Sequence, residues 1–230
     1  MRRTALASLL LLALTLAVAC GEDGAAANLD SVDPSALLLA AADRTEAVTS
    51  FHFVLEHENG STEIVRGLQM KRAEGDVIGS DRLRAEIEAS LGPLNLEGSI
   101  VILEDKAWIT NPLTNRWERE DLSIEELFDP ASGVTALMRG VSAPQLLGTE
   151  SVDGARSYRV EATVDSSAVQ IFGPAPAGQM LEAAVWIGID DSLVRRIEVR
   201  GALRAGEPDD LVRRVTLSQF NVEFEIVAPR

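Results

Sequence analysis

Few residues in this chain of 230 carry groups suited to catalysis or metal binding. There are two histidines, His52 and His57, and one cysteine, Cys20. Paired imidazoles can hold a divalent metal, and one imidazole beside a hydroxyl can act as a general base. His52 and His57, however, lie five apart in SFHFVLEHENG, a stretch with strand periodicity. They therefore project to opposite faces, and no shared metal site is expected. No GxSxG turn, HExxH helix or phosphate-cradling glycine loop occurs. Asp190-Asp191, Asp209-Asp210 and the run Glu118 to Asp121 read as turn residues, and none sits at calcium-loop spacing. Neither catalytic residues nor a cofactor is expected, and the chain does not read as an enzyme.

The cysteine has a different chemistry. It follows MRRTALASLLLLALTLAVA, in which Arg2 and Arg3 precede an apolar run from Ala5 to Ala19. That run is too short to span a bilayer and reads as a signal peptide over residues 1–19. LAVAC resembles a bacterial lipobox, with Ala17 where leucine is commoner. The resemblance implies a diacylglyceryl group on the Cys20 thiol, with palmitate-type acylation, and cleavage that leaves Cys20 first. Losing Arg2 and Arg3 would move the net charge from −15 to −17. Such acidity argues against nucleic-acid partners and against charge-driven binding to anionic lipid. Multiple acyl chains hold firmly to a membrane, so the expected location is the extracytoplasmic side of the cell envelope, lipid-anchored.

The elements that follow are mostly strands. Residues 20–32 read as a tether and 33–230 as one domain. Ser31 or Asp33 can cap a helix over PSALLLAAADRTEAV, with Pro34 in its first turn. Phe51, Phe53 and Leu55 then alternate with polar residues up to Asn59-Gly60, a hairpin signal. TEIVRGLQMKR follows, with a break expected at Glu74-Gly75-Asp76. DRLRAEIEASLG has helix-favouring residue types, but Leu83, Ala85, Ile87, Ala89 and Leu91 alternate with polar residues. A period of two marks a strand with one dry face, and turn residues flank it. LEGSIVILED and KAWIT pair next. A helical interlude is expected over 123–147, with Ser123 and Glu126 as a capping box and VTALMRG and PQLLG as short apolar helical turns. Strands resume through GTESVDG, ARSYRVEATVD, EAAVWIGIDD, LVRRIEVRGAL, DLVRRVTLSQFN and VEFEIVAP, interrupted by a short helix in SSAVQIFG. The fold class is α+β and mainly antiparallel, a meander of about ten strands that should curl strongly, with helices at the start and in the middle.

A curved sheet pools its apolar faces on the concave side. The expected lining includes small residues, Ala85, Ala89, Ala162, Ala184 and Gly188, which leave room for an apolar guest. On the pattern alone an ordinary packed core, with the helices flat on the sheet, is the commoner outcome, because most alternating strands belong to such cores. Candidate lining residues are Phe51, Phe53, Leu55, Leu83, Ala85, Ile87 and Ala89. Trp186, sharing a face with Ala184 and Gly188, is expected at the border of the hollow. Leu127, Phe128, Leu137 and Met138, with Leu146 and Leu147, form the candidate lid. Arg195-Arg196 and Arg213-Arg214 lie in strands, so one of each pair faces inward or sits at an edge. Pairing with a carboxylate is the commoner outcome, and a lipid headgroup at the mouth the rarer.

TSFHF, AEGDVIGSDRLRAEIEAS, VILEDKAWITNPLTNRWERED, SYRVEATV, VWIGIDDSLVRRIEVRG and TLSQFN, in this order from about Ala36 to Pro229, resemble the LppX/LprA/LprF/LprG family of bacterial cell-envelope lipoproteins. The resemblance implies a LolA-like fold, a strongly curved half-open β-barrel with helices across its concave face. It also implies a cargo of lipid or lipidated molecules, carried or presented within the envelope by a protein expected to be monomeric. A sensor or interaction module of the same fold, binding a lipoprotein or membrane-protein partner, is the alternative.

Overall fold

The computed structural model describes residues 29–64, 67–111, 114–122, 124, 130–172 and 175–230. Cys20, the apolar run before it, and Leu127 and Phe128 of the expected lid lie outside the described residues.

Among the described residues the chain forms one open antiparallel sheet of twelve strands, two α-helices and short 3-10 turns. Asp33 caps α1 (Pro34–Glu46), its carboxylate accepting from Ser35 N, with proline in the first turn. The first meander comprises β1 (Ser50–Glu58), β2 (Thr62–Glu63), β3 (Gln69–Ile78), β4 (Arg82–Leu91), β5 (Leu94–Leu103), β6 (Lys106–Thr110) and β7 (Trp117–Glu120). Helix α2 (Pro130–Gly140) follows. The second meander comprises β8 (Val141–Val152), β9 (Ala155–Asp165), β10 (Met180–Gly188), β11 (Val194–Arg200) and β12 (Val212–Ser218). The spatial order is β7-β6-β5-β4-β3-β1-β12-β11-β10-β9-β8, with short β2 beside β3.

Pairing of β1 with β12, from His52↔Ser218 to Glu58↔Val212, fuses the two meanders. It leaves β7 and β8 as the two free edges. The chain must therefore cross from one edge of the sheet to the other between β7 and β8, and α2 lies in that crossing. Val134, Leu137 and Met138 of α2 and Leu38, Ala41 and Ala42 of α1 are buried in the same apolar cluster as the strands. Arg139 of α2 reaches Asp43 (3.0 Å) and Glu46 (2.6 Å) of α1, so the helices pair with each other as well as with the sheet.

Residues 81–92 form the strand that alternation predicts, with Leu83, Ala85, Ile87 and Ala89 buried and Arg82, Arg84, Glu86 and Glu88 exposed. Five expectations change, the first being that Glu118 to Glu120, read as turn residues, lie in strand β7. No break occurs at Glu74-Gly75-Asp76: β3 runs straight through, and Gly75 instead lets two strands crowd together. A Cβ at Gly75 would lie 2.0 Å from the Arg84 carbonyl oxygen and 2.8 Å from Ala85 Cα. TEIVRGLQMKR is instead two strands, because Gly67 turns with φ 79°. Residues 141–147 are not helical but open β8, an edge strand that tolerates Pro144 and shifts register twice against β9. VEFEIVAP adds no strand. The chain turns at Gln219 (φ 50°) and Asn221 (φ 56°), and Asn221 bonds back to Thr49 and Ser50.

The close approach at Gly75 carries a prediction. Gly75→Ala should separate β3 from β4 locally and destabilise the fold by about 1–3 kcal/mol. Urea unfolding measures the loss, and an unchanged midpoint would contradict the crowding.

Candidate functional site

Odd-numbered residues of β1 and β4 point to the concave face. Phe51, Phe53, Leu55, Leu83, Ala85, Ile87 and Ala89 are all buried there, in one cluster with Leu137 and Met138. On β5 the even-numbered residues face inward, paired Leu83↔Ile102, Ala85↔Ile100, Ile87↔Gly98 and Ala89↔Leu96. The second meander supplies an equal share, including Val160, Val164, Leu181, Val185, Ile187, Ile197 and Val215.

Trp186 is not among them. On β10 it is Leu181, Ala183, Val185 and Ile187 that face inward, so Trp186 and Ala184 face outward with Gly188. Trp186 is buried there by its neighbours: its indole N–H donates to Glu150 (2.8 Å), and Arg159 and Arg196 stack over its ring at 5.3 and 5.6 Å. Ala162, paired with Ala183, remains on the inner face.

Most of the concave face is filled by the protein's own side chains. An apolar slot of about 40 Å³ remains open at one end, lined chiefly by Ile64, Leu68, Ile87, Ala89, Leu96 and Ile100. That is well short of the ~150 Å³ that accommodates one benzene. The larger hollow, about 440 Å³, lies on the outer face of β8–β11 among Arg159, Glu161, Glu182, Glu198 and Arg200. Its charges pair with each other and with adjacent groups, as in Arg159–Glu161 (2.6 Å) and Glu198–Arg214 (2.6 Å), and its chemistry is wrong for an acyl chain. Ile64 and Leu68 are slot residues that sequence reading missed, because they flank the turn at Gly67 rather than sitting in one alternating strand.

A buried polar cluster occupies the inner face at the end of the sheet where β1 finishes and β12 begins. The Lys71 carbonyl can only accept, so His57 Nδ1 carries the proton that bridges them (3.0 Å). His57 Nε2 then accepts from the Thr62 hydroxyl (2.8 Å), whose oxygen accepts from Arg213 Nε (3.0 Å). Arg213 is fully buried; it also donates to Gly201 O (3.0 Å) and meets Glu207 at 2.5 Å. The Glu207 carboxylate accepts the backbone N–H groups of Leu203 and Arg204. Of the two arginines in 213–214, the inward one thus takes a carboxylate, while Arg214 bonds Glu198 and Glu58 outside. Burial, with the Arg213 charge nearby, lowers the His57 pKa to about 4. Burial raises the pKa of Glu207, but hydrogen bonding and charge from Arg213 outweigh it and hold the carboxyl below its usual range.

Among the described residues no group of three metal-ligating side chains occurs, and no helix is long and apolar enough to cross a membrane.

Because His57 binds its proton less readily folded than unfolded, stability should fall as pH drops from about 6.5 towards 4, by about 1–3 kcal/mol. His57→Gln should flatten that segment of a stability-against-pH curve, measured by urea unfolding, and an unaltered slope would contradict the buried neutral imidazole. Arg213→Met alone should cost about 3–5 kcal/mol by stranding the Glu207 carboxylate. The double variant with Glu207→Gln should recover part of that loss.

Comparison with known proteins agrees with this architecture. LprF from Mycobacterium bovis has the same fold, with TM-score 0.66 and 16% identity, covering 85% of this chain and 96% of that one. LppX from Mycobacterium tuberculosis gives TM-score 0.63 and 24% identity, covering 85% of this chain and all of that one. In sequence, LppX of the H37Rv strain, named for phthiocerol dimycocerosate transport, is 26% identical over 185 residues, 74% of this chain and 72% of the relative. LprG of Mycolicibacterium smegmatis, named as a lipoarabinomannan carrier, is 23% identical over 231 residues, 96% of this chain and 94% of the relative. Residues 33–226 match the LppX_LprAFG lipoprotein family, and the chain belongs to it.

Proposed function

We propose that this protein is a lipid carrier of the cell envelope. It takes the acyl chains of a lipid or lipidated molecule between the concave face of its sheet and the α1–α2 pair. Cys20 carries the lipid anchor on the extracytoplasmic side, and the folded domain works as a monomer at the end of residues 20–32. The observation that carries this reading is the apolar face that extends across an open sheet, interrupted by the polar cluster around Arg213, together with a slot that reaches solvent. Its relatives' roles in lipid and lipoglycan carriage support the same reading.

A slot of about 40 Å³ takes only the end of an acyl chain. Full loading requires α1 and α2 to lift from the sheet while cargo takes over the contacts of Leu38, Val134, Leu137 and Met138. That exchange replaces apolar contact with apolar contact, so its net cost is small compared with exposing either surface to water. Phe51, Phe53, Leu55, Leu83, Ala85, Ile87 and Ala89 become the bed on which the chain lies. Trp186, on the other face, takes no part.

Residues 29–230 contain every described strand, helix and core residue, and should copurify with lipid visible by native mass spectrometry. Ala89→Phe, which fills the slot, should weaken displacement of a fluorescent fatty acid at least tenfold. Bare protein, under conditions where a control carrier keeps its lipid, or unchanged displacement by Ala89→Phe, would overturn the reading. Cys20→Ala should release the protein from membrane fractions.

A further inference from the structure

The inner-face pairs of β4 and β5 continue past the slot. After Ile87↔Gly98 and Ala89↔Leu96 comes Leu91↔Leu94, closing a two-residue turn in which Gly92 has φ 58°. Leu91 and Leu94 belong to the same face as the core, yet they are 46% and 54% exposed. The apolar stripe therefore runs out of the protein into water along one hairpin. Gly67, between slot residues Ile64 and Leu68, sits beside the Leu91 side chain.

The tip is also uncharged. Ser90-Leu91-Gly92-Pro93-Leu94-Asn95-Leu96 contains no ionisable residue in a chain that is 25% charged. A charge within the tip would have to be dehydrated on entering a bilayer; the charge beside it, the Lys71 ammonium, bonds Asn95 Oδ1 (2.9 Å) on the opposite face from Leu94. A hairpin of leucine, glycine and proline meets the interface through apolar contact alone, which suits a protein whose net charge of −15 is repelled by anionic surfaces. The anchor sets the distance: the thirteen Cα–Cα steps from Cys20 to Asp33 extend at most about 45 Å, keeping the domain beside the membrane.

We propose that the β4–β5 hairpin tip, Leu91 to Leu94, seats in the outer part of a lipid bilayer, and that the stripe behind it is the track along which an acyl chain passes between the membrane and the slot. This rests on the carrier reading and adds the port, its direction and its occupant. The tip inserts, Leu91 and Leu94 replace water with lipid, and the next inner pair, Ala89 and Leu96, receives the chain without its crossing open water.

The test uses residues 29–230, which contain no cysteine of their own. Leu94→Cys and Asp105→Cys, the latter in the turn at the opposite end of β5, are each labelled with an environment-sensitive fluorophore and mixed with phosphatidylcholine vesicles. The Leu94→Cys label should shift to the blue and the Asp105→Cys label should not. The double variant Leu91→Asp/Leu94→Asp should slow transfer of a fluorescent acyl lipid between vesicles at least tenfold, while its equilibrium affinity for the same lipid stays within about twofold. No shift at Leu94→Cys, a shift only after a protein partner is added, or transfer unaffected by the double variant would each overturn the proposal. If no acyl lipid binds at all, the carrier reading falls, while the vesicle shift still decides whether the tip docks.

Discussion

An apolar trough that never closes on itself has to be covered, and most of this molecule follows from that constraint. β1 and β12 hold the trough together at its centre, while β7 and β8 stand apart at its margins. The connection between those margins has one short route, over the open side, and α2 travels along it. α1 enters just before the central strand and lies beside α2. The helices are thus placed by chain connectivity and held by the same apolar burial that holds strand to strand. Their mutual ion pairs through Arg139 are exposed and give little resistance to separation.

The two sheet faces divide the chemistry. The inner one is apolar except at one end, where Arg213 is ion-paired with Glu207 and the Thr62 hydroxyl links it to His57 by hydrogen bonds. These residues take up the β1–β12 part of that end, while β4 and β5 present the apolar slot at the same end, with the Thr62↔Met70 and Met70↔Ala89 pairs between them. The outer face carries cross-strand ion pairs, such as those of Arg214 with Glu58 and Glu198 and of Arg84 with Asp76. Individually such pairs contribute little to stability. Collectively they keep the outer surface wet and give the sheet a single lipid-compatible side.

Much of this was legible in the residues, and the failures have physical causes. Alternation in 81–92 overruled helix-favouring alanines and glutamates because burial on one face outweighs intrinsic propensity. The same alternation should have excluded Trp186 from the interior, since Val185 and Ile187 on either side occupy it. A large aromatic beside small residues suggested a hollow, whereas two arginines and a carboxylate bury it outside. PQLLG gave no strand signal because proline and two register shifts break its period, and only pairing with β9 makes it a strand. Ile64 and Leu68 came together through the turn at Gly67, and Arg213 met Glu207 through a loop. Neither meeting leaves a trace in local periodicity.

The two margins of the sheet have a consequence of their own. The Cys20 anchor proposed above would confine molecules to a plane, where each would meet its neighbours at far higher local concentration than in solution. Unpaired backbone along a free strand would then be an invitation to polymerise. β7 answers with Glu118, Arg119 and Glu120, and β8 with Pro144, its register shifts and the left-handed turn at Ala143. Blunted in this way on both sides, the trough can be crowded on a surface without its copies zipping into continuous ribbons.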